Sequence, residues 1–152
     1  MTTKQAKTDL PRHDGCGGLL KDVEERITLR VRGRPVAVDE RFLRCEKCGE
    51  ELVPPAHDLE LDREAASKFL EERGRISPRR IRALREELGV TQDFFEKAIG
   101  LPKKTVVRWE SGKVFPSKAV DALLRVIERD RSAFEFLCRE HGLELPAGWR
   151  EP

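Results

Sequence analysis

The sequence predicts an α+β chain: a small zinc-stabilised β unit, followed by an all-α domain of five helices. Three observations carry this. Two pairs of metal-ligand residue types, His13-x-x-Cys16 and Cys45-x-x-Cys48, bracket a strand-like stretch. Within that stretch Ile27, Leu29 and Val31 alternate with Thr28, Arg30 and Arg32, the period of two of a half-buried strand. From Ser77 onward apolar residues recur at helical spacing, and polar caps and glycine stops divide them into short helices.

Taken in order, residues 1–12 are polar and aperiodic, which predicts a frayed tail. Residues 13–55 form the zinc-binding β domain. Gly33-Arg34-Pro35 breaks the first strand. Val36, Val38 and then Phe42 to Cys45 read as return strands, with the charged Asp39-Glu40-Arg41 between them. A unit of roughly forty residues buries too little surface to fold unaided, so removing its metal is expected to unfold residues 13–53. Pro54-Pro55 closes it. Residues 56–76 form a linker with a helix over Leu61–Arg73, which puts Leu61, Ala65, Phe69 and Leu70 on one side. That helix either bridges the two parts or packs on the β unit. Residues 77–152 form the helical domain. Ser77, Thr91 and Ser117 are caps for the first, second and fourth helices, and Asp130 or Ser132 caps the fifth. Pro102 is expected to open the third helix, which runs to Ser111.

Length and composition bound the function. The chain has 152 residues, with 30 Lys and Arg against 28 Asp and Glu, a formal charge of +2. So small an excess identifies no partner unless it is concentrated locally. Between Pro78 and Asp130 there are 12 Lys and Arg against 8 Asp and Glu, so the positive charge gathers in the helical domain. No apolar run approaches the ~18 residues of a membrane span, and no secretory pattern follows Met1. The expected setting is cytoplasmic, where disulfides are rare and four cysteines point to a metal.

The two spaced pairs supply nitrogen and sulfur donors in a closed set of four, which suits a tetrahedral structural Zn²⁺ held by His13, Cys16, Cys45 and Cys48. Gly17 and Gly49 follow the two cysteines and permit the tight turns such knuckles need. Three incidental thiols, or an iron-bearing redox site, are the alternatives. Asp14 is a substitute ligand for His13. Cys138 reads as a core thiol, and His57 and His141 as surface residues. No nucleophile–base arrangement, phosphate loop or carboxylate pair is spaced for catalysis, so no enzyme is expected.

Two short helices meeting at Gly100 satisfy the geometry of a helix-turn-helix. On the second, Lys103, Lys104, Thr105 and Arg108 face outward, and Val106 and Trp109 face the core. A plain helical bundle with a solvated basic face is the alternative.

The segments LREELGVTQ and KKTVVRWESGK resemble the Xre/Cro-type helix-turn-helix, through the Thr-Gln pair, the Arg-Trp-Glu run and the glycine after it. The layout from His13 to Leu137 is similar to MqsA-type antitoxins: a zinc unit of two knuckles, a linker helix and an Xre-type domain. The resemblance implies a homodimer on palindromic operator DNA, a small ribonuclease toxin as partner, and repression of the chain's own operon. It implies that Cys16, Cys45 and Cys48 are zinc ligands, with His13 in place of a cysteine. It places Lys104 where the family reads a base with asparagine, and Arg108 where it reads one with arginine. Gln92 and Lys113 would contact phosphates. Two departures stand out: Glu96 where a small residue is usual, expected to loosen the two helices, and Pro102 in place of a polar cap. Phe134, Phe136 and Leu137 exceed what a short terminal helix needs to bury, which suggests a dimer contact. A stand-alone regulator of the same fold, without a toxin, is the alternative function.

Overall fold

A computed structural model of the chain describes residues 11–147 and Trp149. The expected tail, residues 1–12, therefore lies mostly outside the described residues. Its last two residues are not frayed: Arg12 bridges Leu19, and the Pro11 carbonyl accepts from the Leu20 amide at 2.9 Å.

Three antiparallel strands come first, β1 (Leu20–Val31), β2 (Arg34–Cys45) and β3 (Glu51–Leu52), in the order β1-β2-β3. Arg32 and Gly33 both take positive φ, 49° and 77°, as a two-residue hairpin turn requires. The return strand is one continuous element, not the two that were expected. Asp39, Glu40 and Arg41 do not interrupt it because cross-strand charges hold them in register. Asp39 faces Arg26 and accepts from it at 3.0 Å, and Arg41 faces Glu24 and donates to it at 3.2 Å. Ile27, Leu29, Val31, Val36 and Val38 share one face of this hairpin.

Six helices follow: α1 (His57–Glu71), α2 (Pro78–Glu87), α3 (Gln92–Ile99), α4 (Thr105–Glu110), α5 (Lys118–Arg129) and α6 (Arg131–Glu140). Helix α1 starts four residues before the expected Leu61, with Asp58 and Glu60 complementing the dipole in its first turn. It packs on the β unit: Ala65, Phe69 and Leu70 are buried against Val36 and Val38. His57 is buried at its start, with Nε2 3.2 Å from a Glu40 carboxylate oxygen, and is not the surface residue expected.

The caps form where the sequence places them. Ser77 accepts from the Arg80 amide at 3.2 Å, Thr91 from Phe94 at 3.2 Å, Ser117 from Val120 at 3.3 Å and Asp130 from Ser132 at 2.9 Å. Ile81, Leu84, Phe95, Val106, Trp109, Leu124, Ile127 and Phe134 fill the helical core. Phe134 lies at its centre, with ring centroids 5.8 Å from Phe95 and 5.7 Å from Trp149. It is fully enclosed within its own chain, so of the three residues suggested for dimerisation only Phe136 and part of Leu137 are left to face outward. Cys138 is buried in the same core, and burial pushes its thiol up.

One seam between the two halves is especially tight. Gly112, at φ 77°, lies so near α1 that an added Cβ would come within 2.7 Å of the Ala66 Cβ. Phe115 stacks on Phe69 with centroids 5.9 Å apart, and the Arg32 guanidinium sits 4.7 Å over the other ring, that of Phe115. Gly112→Ala should therefore destabilise the protein by about 1–2 kcal/mol from its left-handed backbone alone, and by more from the Ala66 clash. Ala66→Gly in the same chain should recover only the clash. Urea denaturation of the single and double variants separates the two effects.

Candidate metal centre and nucleic-acid interface

The two knuckles are built alike. Each closes on a backbone bond to its first ligand residue, from Gly17 to the His13 carbonyl at 2.7 Å and from Gly49 to the Cys45 carbonyl at 2.9 Å. The hairpin then brings them together, because Leu20 pairs with Cys45 at its open end. The ligand atoms of His13, Cys16, Cys45 and Cys48 all lie within 4.8 Å of one another. His13 Nδ1 is 3.3 Å from both the Cys16 and the Cys48 sulfur, and Cys16 Sγ is 3.4 Å from that of Cys45 and 3.5 Å from that of Cys48. A tetrahedral zinc with ordinary bond lengths has ligand–ligand edges of about 3.5–3.8 Å, so the set is nearly at metal-bound spacing. Asp14, the substitute ligand, is not among the four.

The surroundings fit a metal as well. An added Cβ at Gly18 would lie 2.6 Å from the Cys45 sulfur, so this position leaves the room that the ligand needs. The Cys48 amide, joined by that of Lys47, points at the Cys45 sulfur and outweighs its burial, drawing the thiol down to about 6. A thiol held low in this way suits a metal ligand. The other ring nitrogen of His13, Nε2, lies 3.3 Å from a Glu50 carboxylate oxygen. Such a carboxylate orients a ligating imidazole and fixes its tautomer. The Cys–x–x–Cys spacing did not reveal Glu50; its place directly after the second knuckle was the available signal.

The second candidate surface is formed by α3, α4 and the connection between them. Helix α4 begins at Thr105 and not at Pro102, because Pro102 to Lys104 form a turn and Lys104 takes φ 63°. The polar cap comes from the helix before. Glu96, only 5% exposed, accepts the Lys104 amide at 3.1 Å and the Val106 amide at 2.9 Å. The expectation that Glu96 loosens the pair is thus corrected: its carboxylate satisfies amides that α4 would otherwise leave open. A second buried carboxylate, Glu110, accepts from Arg85 at 2.5 and 3.1 Å and from Gln92 at 2.7 Å, tying α2, α3 and α4 together.

On this frame Lys103, Lys104 and Arg108 are exposed, and Lys113 is exposed just beyond α4. Thr105 is half-buried, its hydroxyl donating to the Pro102 carbonyl at 2.7 Å. Gln92 is half-buried and held by Glu110 at the start of α3. Val106 and Trp109 face the core as expected. The sequence reading missed Val107, which is 42% exposed between Lys104 and Arg108 on the outer face; its position next to the buried Val106 was the signal.

A model of the antitoxin component of bacterial toxin–antitoxin systems, MqsA, matches residues 16–137. The chain belongs to the MqsA antitoxin family. None of the curated proteins compared with it matches. The match begins at Cys16, so it spans the three cysteines of the cluster but not His13. Among the described residues, no helix is long and apolar enough to cross a membrane.

The distal half of the hairpin rests on α1, whereas the knuckles at its open end have no such support. The expectation that metal removal unfolds all of residues 13–53 is narrowed accordingly. Chelation, or Cys45→Ser, should release amide protection at residues 13–20 and 43–52. Val36, Val38 and α1 should stay protected. Hydrogen exchange before and after chelation measures this.

Proposed function

We propose that this antitoxin is a zinc-containing, sequence-specific DNA-binding repressor of its own operon, and that it neutralises a small ribonuclease toxin. Its working parts would be a zinc β domain over residues 13–55, a linker over 56–76 and a helix-turn-helix domain over 77–152. Family membership supports the toxin partner. The observation that carries the DNA reading is the outer face of α4: Lys103, Lys104 and Arg108 stand exposed on a short helix whose start and end are fixed by the buried Glu96 and Glu110. A rigid, cationic helix of this kind suits the major groove. In this reading Arg108 holds a guanine, Lys104 reads a neighbouring base, and Gln92, Lys103, Thr105 and Lys113 hold the backbone.

Zinc is the metal we assign to His13, Cys16, Cys45 and Cys48. All four positions are filled by protein, which suits a structural ion and leaves no open site for hydrolysis. Metal analysis with a featureless visible spectrum supports zinc; visible charge-transfer bands would indicate iron.

Arg108→Ala should cost about 1–3 kcal/mol on operator DNA and relax preference at one base pair. Lys113→Ala should weaken operator and scrambled duplex alike and lower the salt slope by about one per half-site. Salt-titrated binding of both variants on the two duplexes tests the assignment. Equal loss on both duplexes for Arg108→Ala removes it from base reading.

A palindromic operator calls for a two-fold protein. We place the homodimer contact at Phe136, which is 60% exposed on α6, with Leu137 beside it. Phe136→Ser should turn the dimer into a monomer at micromolar concentration without lowering thermal stability of the chain's core. Light scattering decides, and a wild-type monomer overturns the dimer.

A further inference from the structure

The outer face of α4 carries an apolar side chain among its cations. Val107 comes one turn after Lys103 and Lys104 and directly before Arg108, and all four residues are exposed. Its direction is fixed by its neighbours. Val106 is fully buried and Trp109 nearly so, and the helix cannot turn Val107 inward while both of these stay in the core. The Val106 amide donates to Glu96 at 2.9 Å, and the Val107 carbonyl accepts from the Ser111 amide at 3.1 Å, so the backbone is held on both sides of the residue.

The side chain is pre-set as well. A β-branched residue in a helix has one strongly preferred χ1 rotamer, so Val107 presents its methyl groups with little freedom left to lose. It has no donor or acceptor for a base edge or a phosphate. What it offers is a rigid apolar surface, which is stabilised by losing water against another apolar surface. Among the groups that a duplex displays in its major groove, the C5-methyl of thymine meets that description.

We propose that Val107 is a specificity-determining residue that reads a thymine C5-methyl beside the base pair held by Arg108. This deepens the DNA reading of α4 given above and rests on it. The occupant is duplex DNA because the exposed side chains around Val107 are cations, which complement phosphates, and because the residue is continuous with those assigned to base reading. A single valine among lysines and arginine lacks the apolar centre that a protein partner requires.

The test uses the full chain with its metal, on a duplex of its own upstream promoter region. Thymines in that duplex are replaced one at a time by deoxyuridine, which lacks only the methyl. For wild type, one position in each half-site should lose about fourfold in affinity, the worth of one buried methyl. Val107→Ala should lose a similar factor on the unmodified duplex, and deoxyuridine at that position should then cost nothing more. Alanine is a better helix former than valine, so α4 should be retained, which circular dichroism verifies. The salt slope should be unchanged, because no phosphate contact is lost. If deoxyuridine costs the folded alanine variant as much as wild type at every position, Val107 does not read the methyl. Wild-type binding that is indifferent to every thymine methyl overturns the proposal equally. In either case, an Arg108→Ala variant that still relaxes base preference leaves the α4 reading standing without Val107. If Arg108→Ala instead weakens promoter and scrambled duplex alike, α4 is not docked in the groove, and both readings fall.

Discussion

Glu96 occupies the point on which the orientation of α4 depends. A six-residue helix has little stability of its own, since nucleation is costly and few bonds repay it. Here its first amides are taken up by a carboxylate from the preceding helix, and Lys104 adopts a left-handed backbone to bring the chain into position. Its other end is held by Glu110, bound to Arg85 and Gln92. Hydrogen bonds to charged groups are the strong ones, and leaving either carboxylate buried without its donors would cost several kcal/mol. The outer face of α4 is therefore presented by two buried charges, while the core residues Val106 and Trp109 fix only its depth.

The β unit is stabilised at two ends by different physics. At the open end, nitrogen and sulfur donors gather at metal-bound spacing, and Gly18 leaves room for the Cys45 sulfur. At the closed end, aliphatic side chains of both strands bury against α1. Between them the strands carry charge pairs on exposed surfaces, which add register more than stability. This division explains how a hairpin of twelve-residue strands persists with so small an apolar face. It also makes α1 part of the same packed layer as the hairpin, with Gly112 and Phe115 as its seam to the helical domain.

Much of this was legible in the sequence. The ligand spacing, the period-two strand around Ile27, the caps at Ser77, Thr91 and Ser117 and the stops at glycine are local signals, and each corresponds to a local feature of the structure. The α+β class and the Cys/His cluster followed from them. Helix α1 begins earlier than its apolar periodicity suggested, at His57, which is buried beside Glu40 of the β unit. The return strand was divided because three consecutive charges read as a break when the residues facing them, 13 and 17 positions upstream for Asp39 and Arg41, are out of view.

What the sequence by itself determined is where the chain turns, which residues can bind a metal and which helical faces are apolar, because dihedral preference, donor chemistry and periodicity act over a few residues. What only the tertiary structure decided is the use of polar groups between distant segments. Glu96 is a cap and not a defect, His57 is buried beside Glu40, and Phe134 is enclosed by Phe95 and Trp149 rather than offered to a partner. The physical reason is common to all three. A polar or aromatic side chain has no fixed meaning until the group opposite it is known, and that group is brought there by the fold.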